Sequence, residues 1–316
     1  MRNNSFRTRF TTGAFTLPLV AGLVTVLWVL PGISDLNLWL GWAAVGLTTF
    51  MLAELNNRNA LIRVRSRMVG ATFLGLYLAC PALHSWSTAM IPMLCLPLSY
   101  FQLFATYQKP HPEGNVFLGY LFLGIASWFY PPLLLCAAVL YFCLLIPLRA
   151  LTWRTGFAGI FGLLLPYWFH LGWAIWSEQL DTAFLPFVEA FRFEATDFSV
   201  MPTSVFSWCC LTICLVLCSI LHFSHTAYND KIRTRMFYYV IISVEIFVVS
   251  ALLLQPQAYQ MLSNLLIVNG ALLIAHYFTL GKGRVLDYWF IVVLSLWIIL
   301  TIFNTLDLWT LLSISL

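Results

Sequence analysis

The chain has 316 residues, 61% hydrophobic and 9% charged, with sixteen Lys and Arg against twelve Asp and Glu and a mean hydropathy of +0.87. Soluble domains carry roughly 25% charged residues, so this composition leaves too little polar surface for a water-soluble fold. At about 20 residues per crossing there is room for roughly ten or eleven transmembrane helices and for no soluble domain.

Taken in chain order, Met1 to Thr12 is a basic tail carrying Arg2, Arg7 and Arg9. A first span covers about 14–30 and stops at Pro31-Gly32; its Val-Leu-Pro-Gly-Ile-Ser end is a poor cleavage site, so it reads as a signal anchor. A second span covers about 38–53. The segment Glu54 to Arg67 carries Arg58, Arg63, Arg65 and Arg67 and is internal. Two uncharged stretches follow, 68–108 and 115–148, each read either as a full hairpin or as a re-entrant pair. Lys109 lies between them, and Arg149 and Arg154 follow. The seventh span is about 155–176, and 177–200 is one long external loop. Spans eight to eleven fall near 201–224, 236–254, 259–280 and 286–304. Lys231, Arg233, Arg235, Lys282 and Arg284 occupy the internal turns.

This segmentation puts fifteen of the sixteen Lys and Arg on one side, with Arg192 alone on the other. Cytoplasmic loops retain Lys and Arg because those charges resist translocation, so the sorting fixes a parity. The expected fold is all-α: a polytopic transmembrane helix bundle of about eleven spans (10–12), residues 1–316 as one integral-membrane domain. Its amino terminus is expected inside.

The eight cysteines fall within spans, so no disulfide framework is expected. Cys210, Cys214 and Cys218 form an i, i+4 stripe that reads as a helix-packing face rather than as metal ligands. His222 and His225 lack a third ligand and read as a wet helix end. No metal, no cofactor and no nucleic acid are expected. Gly156, Gly159 and Gly162 mark a close helix contact, and Gly281-Lys-Gly-Arg is a turn.

Three regions depart from plain lipid-facing helix. Tyr130-Pro131-Pro132 breaks a thirty-four-residue uncharged pair, either as a discontinuous helix facing a substrate or as a tight turn using prolines as helix starters. In the external loop, Phe184, Phe187, Val188, Phe191, Ala195 and Phe198 recur at helical spacing, which suits an interfacial amphipathic helix. Arg192 on its polar side is the only external cation. It is a candidate clamp for a phosphate, with Glu189, Glu194 or Asp197 as a general base; the alternative is a local Glu189–Arg192 ion pair. Third, Glu245 lies at the centre of span nine, where a carboxylate needs a partner or a proton. His170, Asn269 and His276 are its candidate partners, the histidines as members of a proton relay; the alternative is a protonated carboxyl acting as glue between helices. In the internal segment, Glu54 and Arg58 pair at i, i+4, and Arg63 and Arg67 share a face that could hold lipid phosphates, or serve only as topogenic charge.

The Glu-Leu-Asn turn followed by Arg-x-Arg, the run Gly124-Ile-Ala-Ser-Trp-Phe-Tyr-Pro-Pro132 and Trp153-Arg154 together resemble an uncharacterised multi-pass inner-membrane family of Bacteroidota. The likeness covers about two thirds of the chain and implies a location but no activity. The architecture is also loosely similar to O-antigen polymerases and ligases. Three functions remain in view: action on a lipid-linked envelope glycan or lipid phosphate at the outer leaflet, proton-coupled transport through Glu245, and a structural subunit of an envelope assembly. The partners expected are the lipid bilayer and a lipid-linked substrate or a membrane partner protein.

Overall fold

The computed structural model describes residues 5–178, 185–191 and 196–309, apart from the side chains of Pro31, Pro186, Glu189 and Ala190. Regular structure among them is entirely helical: α1 (Phe6–Thr12), α2 (Thr16–Val29), α3 (Leu36–Asn59), α4 (Met68–Leu78), α5 (Met90–Phe104), α6 (Glu113–Phe129), α7 (Leu133–Leu145), α8 (Trp153–Trp176), α9 (Leu185–Ala190), α10 (Thr203–Thr226), α11 (Ile232–Leu254), α12 (Tyr259–Leu280) and α13 (Arg284–Thr305). Without water to satisfy it, backbone must satisfy itself, and an uninterrupted apolar run does so as a helix.

Among the described residues six helices are long and apolar enough to cross a membrane: α3, α8, α10, α11, α12 and α13. A seventh crossing is available if α1 and α2, bent by 82°, count as one. Each of the eleven predicted spans corresponds to a helix, but α4, α5, α6 and α7 have only 11, 15, 17 and 13 residues. At 1.5 Å per residue they are about 16 to 26 Å long, short of a hydrocarbon core of about 30 Å.

The chain divides into two compact units. The first comprises Met1–Ser87, Phe198–Lys231 and Leu266–Leu316, the second Thr88–Asp197 and Ile232–Leu265.

In the first unit, Asp35 caps α3 by accepting the Asn37 N–H. The helix runs past the apolar stretch to Asn59, aided by the predicted Glu54–Arg58 pair at 2.6 Å. It stops at Ala60, a left-handed residue with φ 48°, while the Asn56 side chain takes the Ile62 N–H. Arg63 and Arg67 therefore share no helical face, contrary to the sequence reading: a left-handed break precedes both. Arg67 donates to the Ala14 carbonyl at 3.0 Å, just before α2. At the other end of α4, Trp86 N–H reaches Asn37 O at the start of α3, and Asn304 near the end of α13 donates to Ala79 O.

In the second unit α6 and α8 run parallel at close range. Thr152 and Thr155 form the capping box that starts α8. Any Cβ at Gly162 would fall on the Phe117 carbonyl oxygen, and one at Gly124 would lie 2.6 Å from Leu163 O. Gly159 abuts Tyr141, whereas Gly156 has open space, so two of the three predicted contact glycines make the contact. At Tyr130-Pro131-Pro132 the chain turns, and the proline carbonyls accept the N–H groups of Leu134 and Leu135, so the prolines start α7. Tyr130 Oη donates to Gln255 Oε1 beyond the end of α11. Ala89 O, just before α5, accepts from Asn264 on α12, while Phe104 at its end stacks on Phe237 near the start of α11.

Candidate functional site

The polar side chains of the first unit converge where α10 and α12 end. His222 and Thr226 sit on the last two turns of α10, and the short turn after it carries Tyr228, Asn229 and Asp230. His276 and Leu280 lie on the last turns of α12, and Lys282 follows before Gly283, whose φ of +118° only glycine adopts freely. With Arg63 from the segment after α3, these residues line a cavity of about 260 Å³.

Asp230 organises it. Its carboxylate is buried and takes His276 Nε2 at 3.0 Å through Oδ2 and Arg63 Nη1 at 3.7 Å through Oδ1. An ionised carboxylate can only accept, so His276 donates from Nε2. Arg63 Nη1 also donates to Asn229 O at 2.8 Å, which holds the guanidinium across the turn. Arg63 and His276 thus account for the single carboxylate lining the cavity. Lys282 adds a positive charge that this carboxylate does not neutralise, and His222, its Nδ1 3.5 Å from Thr226 Oγ1, adds a ring nitrogen. Among the described residues no carboxylate pairs with Lys282. The cavity is therefore donor-rich and net cationic, suited to an anion of several oxygens. Among the described residues no three His, Cys, Asp or Glu side chains gather as a metal site.

The cavity unites Arg63 and His276, predicted for different roles, and adds His222, set aside as a wet helix end. Lys282 was read only as a turn charge, and Asp230 was given no role. Arg67, on the Ala14 carbonyl, does not line it. His276 and Asn269 are buried in α12 and belong to the first unit, whereas Glu245, fully buried in α11, belongs to the second. His170, also in the second unit, has its ring 3.9 Å from that of Trp128. Of the external loop, Arg192 and Glu194 lie outside the described residues, as does the Glu189 side chain; Asp197 is exposed. Of the predicted aromatic face, Phe187 packs on Trp128 and Tyr167. Cys210 and Cys214 are exposed, so the cysteine stripe is not the packing face predicted for it.

Comparison with protein-family models, curated proteins and solved structures finds no match. The cavity's own chemistry carries the functional argument.

Proposed function

We propose that the chain is an integral membrane protein that binds a phosphate-type anion at the cytosolic ends of α10 and α12. The observation that carries this is the convergence of Arg63, Lys282, His222 and His276 on one cavity around the single carboxylate of Asp230. The sidedness follows from the positive-inside sorting, which assigns Arg63 and Lys282 to the cytosol. Full crossings by α4 and α5 are supported by their partners. The segment 67–86 runs from the start of α2 to the start of α3, and α5 from near the start of α12 to near the start of α11. These termini lie on opposite sides in an eleven-span reading. The test is titration of the purified protein with inorganic phosphate and pyrophosphate by calorimetry. Arg63→Gln and Lys282→Gln should each weaken binding about tenfold, the scale of one charge-assisted hydrogen bond. Asp230→Asn should strengthen it by removing a repelling charge. Binding unchanged by both Gln variants would refute the reading.

The outer-leaflet reading, action on a lipid-linked glycan through Arg192, rests on loop residues outside those described. Proton-coupled transport has one observation in its favour, the complete burial of Glu245 at mid-helix. Under that reading Glu245→Gln abolishes transport at normal protein abundance; a fully active Gln variant removes it.

A further inference from the structure

A second opening in the first unit lies between α2, α3 and α4. It measures about 290 Å³, and apart from Thr25 and Thr49 its lining is apolar. Both hydroxyls are already used on their own helices: Thr25 donates to Ala21 O and Thr49 to Val45 O. Nothing in the slot therefore asks for a polar ligand. On α3 it is open at Gly46, an exposed residue where an added Cβ would have no atom within 4 Å. One end is closed by Trp42 Nε1 donating to Thr25 Oγ1 at 3.1 Å. The other end, at Leu17 and Thr49, lies against Gly70, whose Cβ would come 3.0 and 3.1 Å from those two side chains. Gly70 is three residues beyond Arg67, which is exposed and donates to the Ala14 carbonyl just before Leu17. From Leu17 to Thr25 the slot runs about 12 Å along α2.

We propose that this slot holds one acyl chain of an anionic phospholipid, with its phosphate beside Arg67. A tail that leaves surrounding lipid for an apolar slot gains only van der Waals contact. Discrimination between lipids must therefore come from the mouth, where cationic side chains favour an anionic headgroup. The inference rests on the membrane reading of the chain and is independent of the anion cavity, whose residues line a different opening.

The protein, purified in detergent and exchanged into mixed micelles of equal phosphatidylglycerol and phosphatidylcholine, is read by native mass spectrometry for retained lipid. Wild type should retain phosphatidylglycerol about fivefold over phosphatidylcholine. Arg67→Gln should abolish the preference while lipid is still retained. Gly46→Leu should lose both lipids, since its Cβ meets no neighbour and its side chain extends into the slot; Ala21→Leu fills the slot from α2 and replaces it should that variant misfold. Glycerol phosphate, which has the headgroup chemistry without a tail, should not displace the lipid. Retention unchanged by both filling variants, a preference indifferent to Arg67→Gln, or displacement by glycerol phosphate would overturn the proposal.

Discussion

Arg7 and Asp287 meet at 2.6 Å, Nε to Oδ1, across 280 residues of sequence. The same guanidinium donates through Nη1 to the carbonyl oxygens of Phe278 and Gly281, so α1 is tied to the turn between α12 and α13. Arg7 is 7% exposed and Asp287 20%. Removing one partner of a buried pair leaves the other uncompensated, which costs about 3 kcal/mol. Arg7→Ala should therefore lower the thermal unfolding midpoint of the purified protein strongly, and Arg7→Lys should recover only part of it, because one ammonium nitrogen cannot occupy the positions of both Nε and Nη1. A midpoint unchanged in Arg7→Ala would show the clasp to be idle.

His84, in the turn between α4 and α5, gives a pH dependence. Its ring stacks on Trp28 at 3.8 Å and bonds the Tyr77 carbonyl oxygen. Burial lowers its pKa from 6.5 to about 4, and the bond to Tyr77 O opposes this only in part. A depressed histidine binds its proton more readily when unfolded, so its contribution is complete above pH 6.5 and is lost as pH falls toward 4. The loss should approach roughly 3 kcal/mol. Unfolding midpoints measured from pH 7.5 to 4 should fall through that window, and the same series on His84→Gln should be flatter.

Helix contact predicts opposite outcomes for two glycines one and a half turns apart. Gly162→Ala drives a methyl into the Phe117 carbonyl and should cost about 1 to 3 kcal/mol as α6 and α8 separate. Gly156→Ala meets nothing and should stabilise by up to about 1 kcal/mol through helix propensity. Denaturation of both proteins side by side checks the pair; equal effects would contradict the packing.

The proposed sidedness is accessible to thiol labelling. Ser85→Cys, exposed beyond α4, should react with a membrane-impermeant maleimide in intact cells, and Lys282→Cys only after permeabilisation. Were α4 and α5 a re-entrant pair, Ser85→Cys would stay unlabelled from outside.

Helix positions were readable from the sequence because apolar runs have one backbone solution in lipid. The lengths were less so. The predicted second span ends at 53, where the charged residues begin, yet the same helix carries the Glu54–Arg58 pair and runs on to Asn59. Charge sorting is blind to hairpins with uncharged tips, since deleting such a pair of spans leaves every Lys and Arg on its side; the eleven-span and seven-span readings share one parity. Nor does it show what a charge meets: Arg7 was read as part of a basic tail and Lys282 as a turn charge, and Asp230 was given no role. That each meets partners far away in sequence is invisible to spacing, as with His276 and Asp230, which lie 46 residues apart. Arg63 and Arg67 were misassigned to one face because nothing in Asn59-Ala60-Leu61 announces a left-handed residue where glycine is usual.

The apolar stretch of α12 is 89% buried, against 11% for that of α13. A segment with almost no lipid-facing side can carry Ser263, Asn264, Asn269 and His276, all buried, because protein surrounds them. The same property makes it a poor candidate for release into bare bilayer during synthesis. Its insertion depends on surfaces supplied by helices already made, so damage to those earlier helices should appear first as degradation of newly made chains with α12 left unsheltered, before any loss of activity in the chains that do assemble.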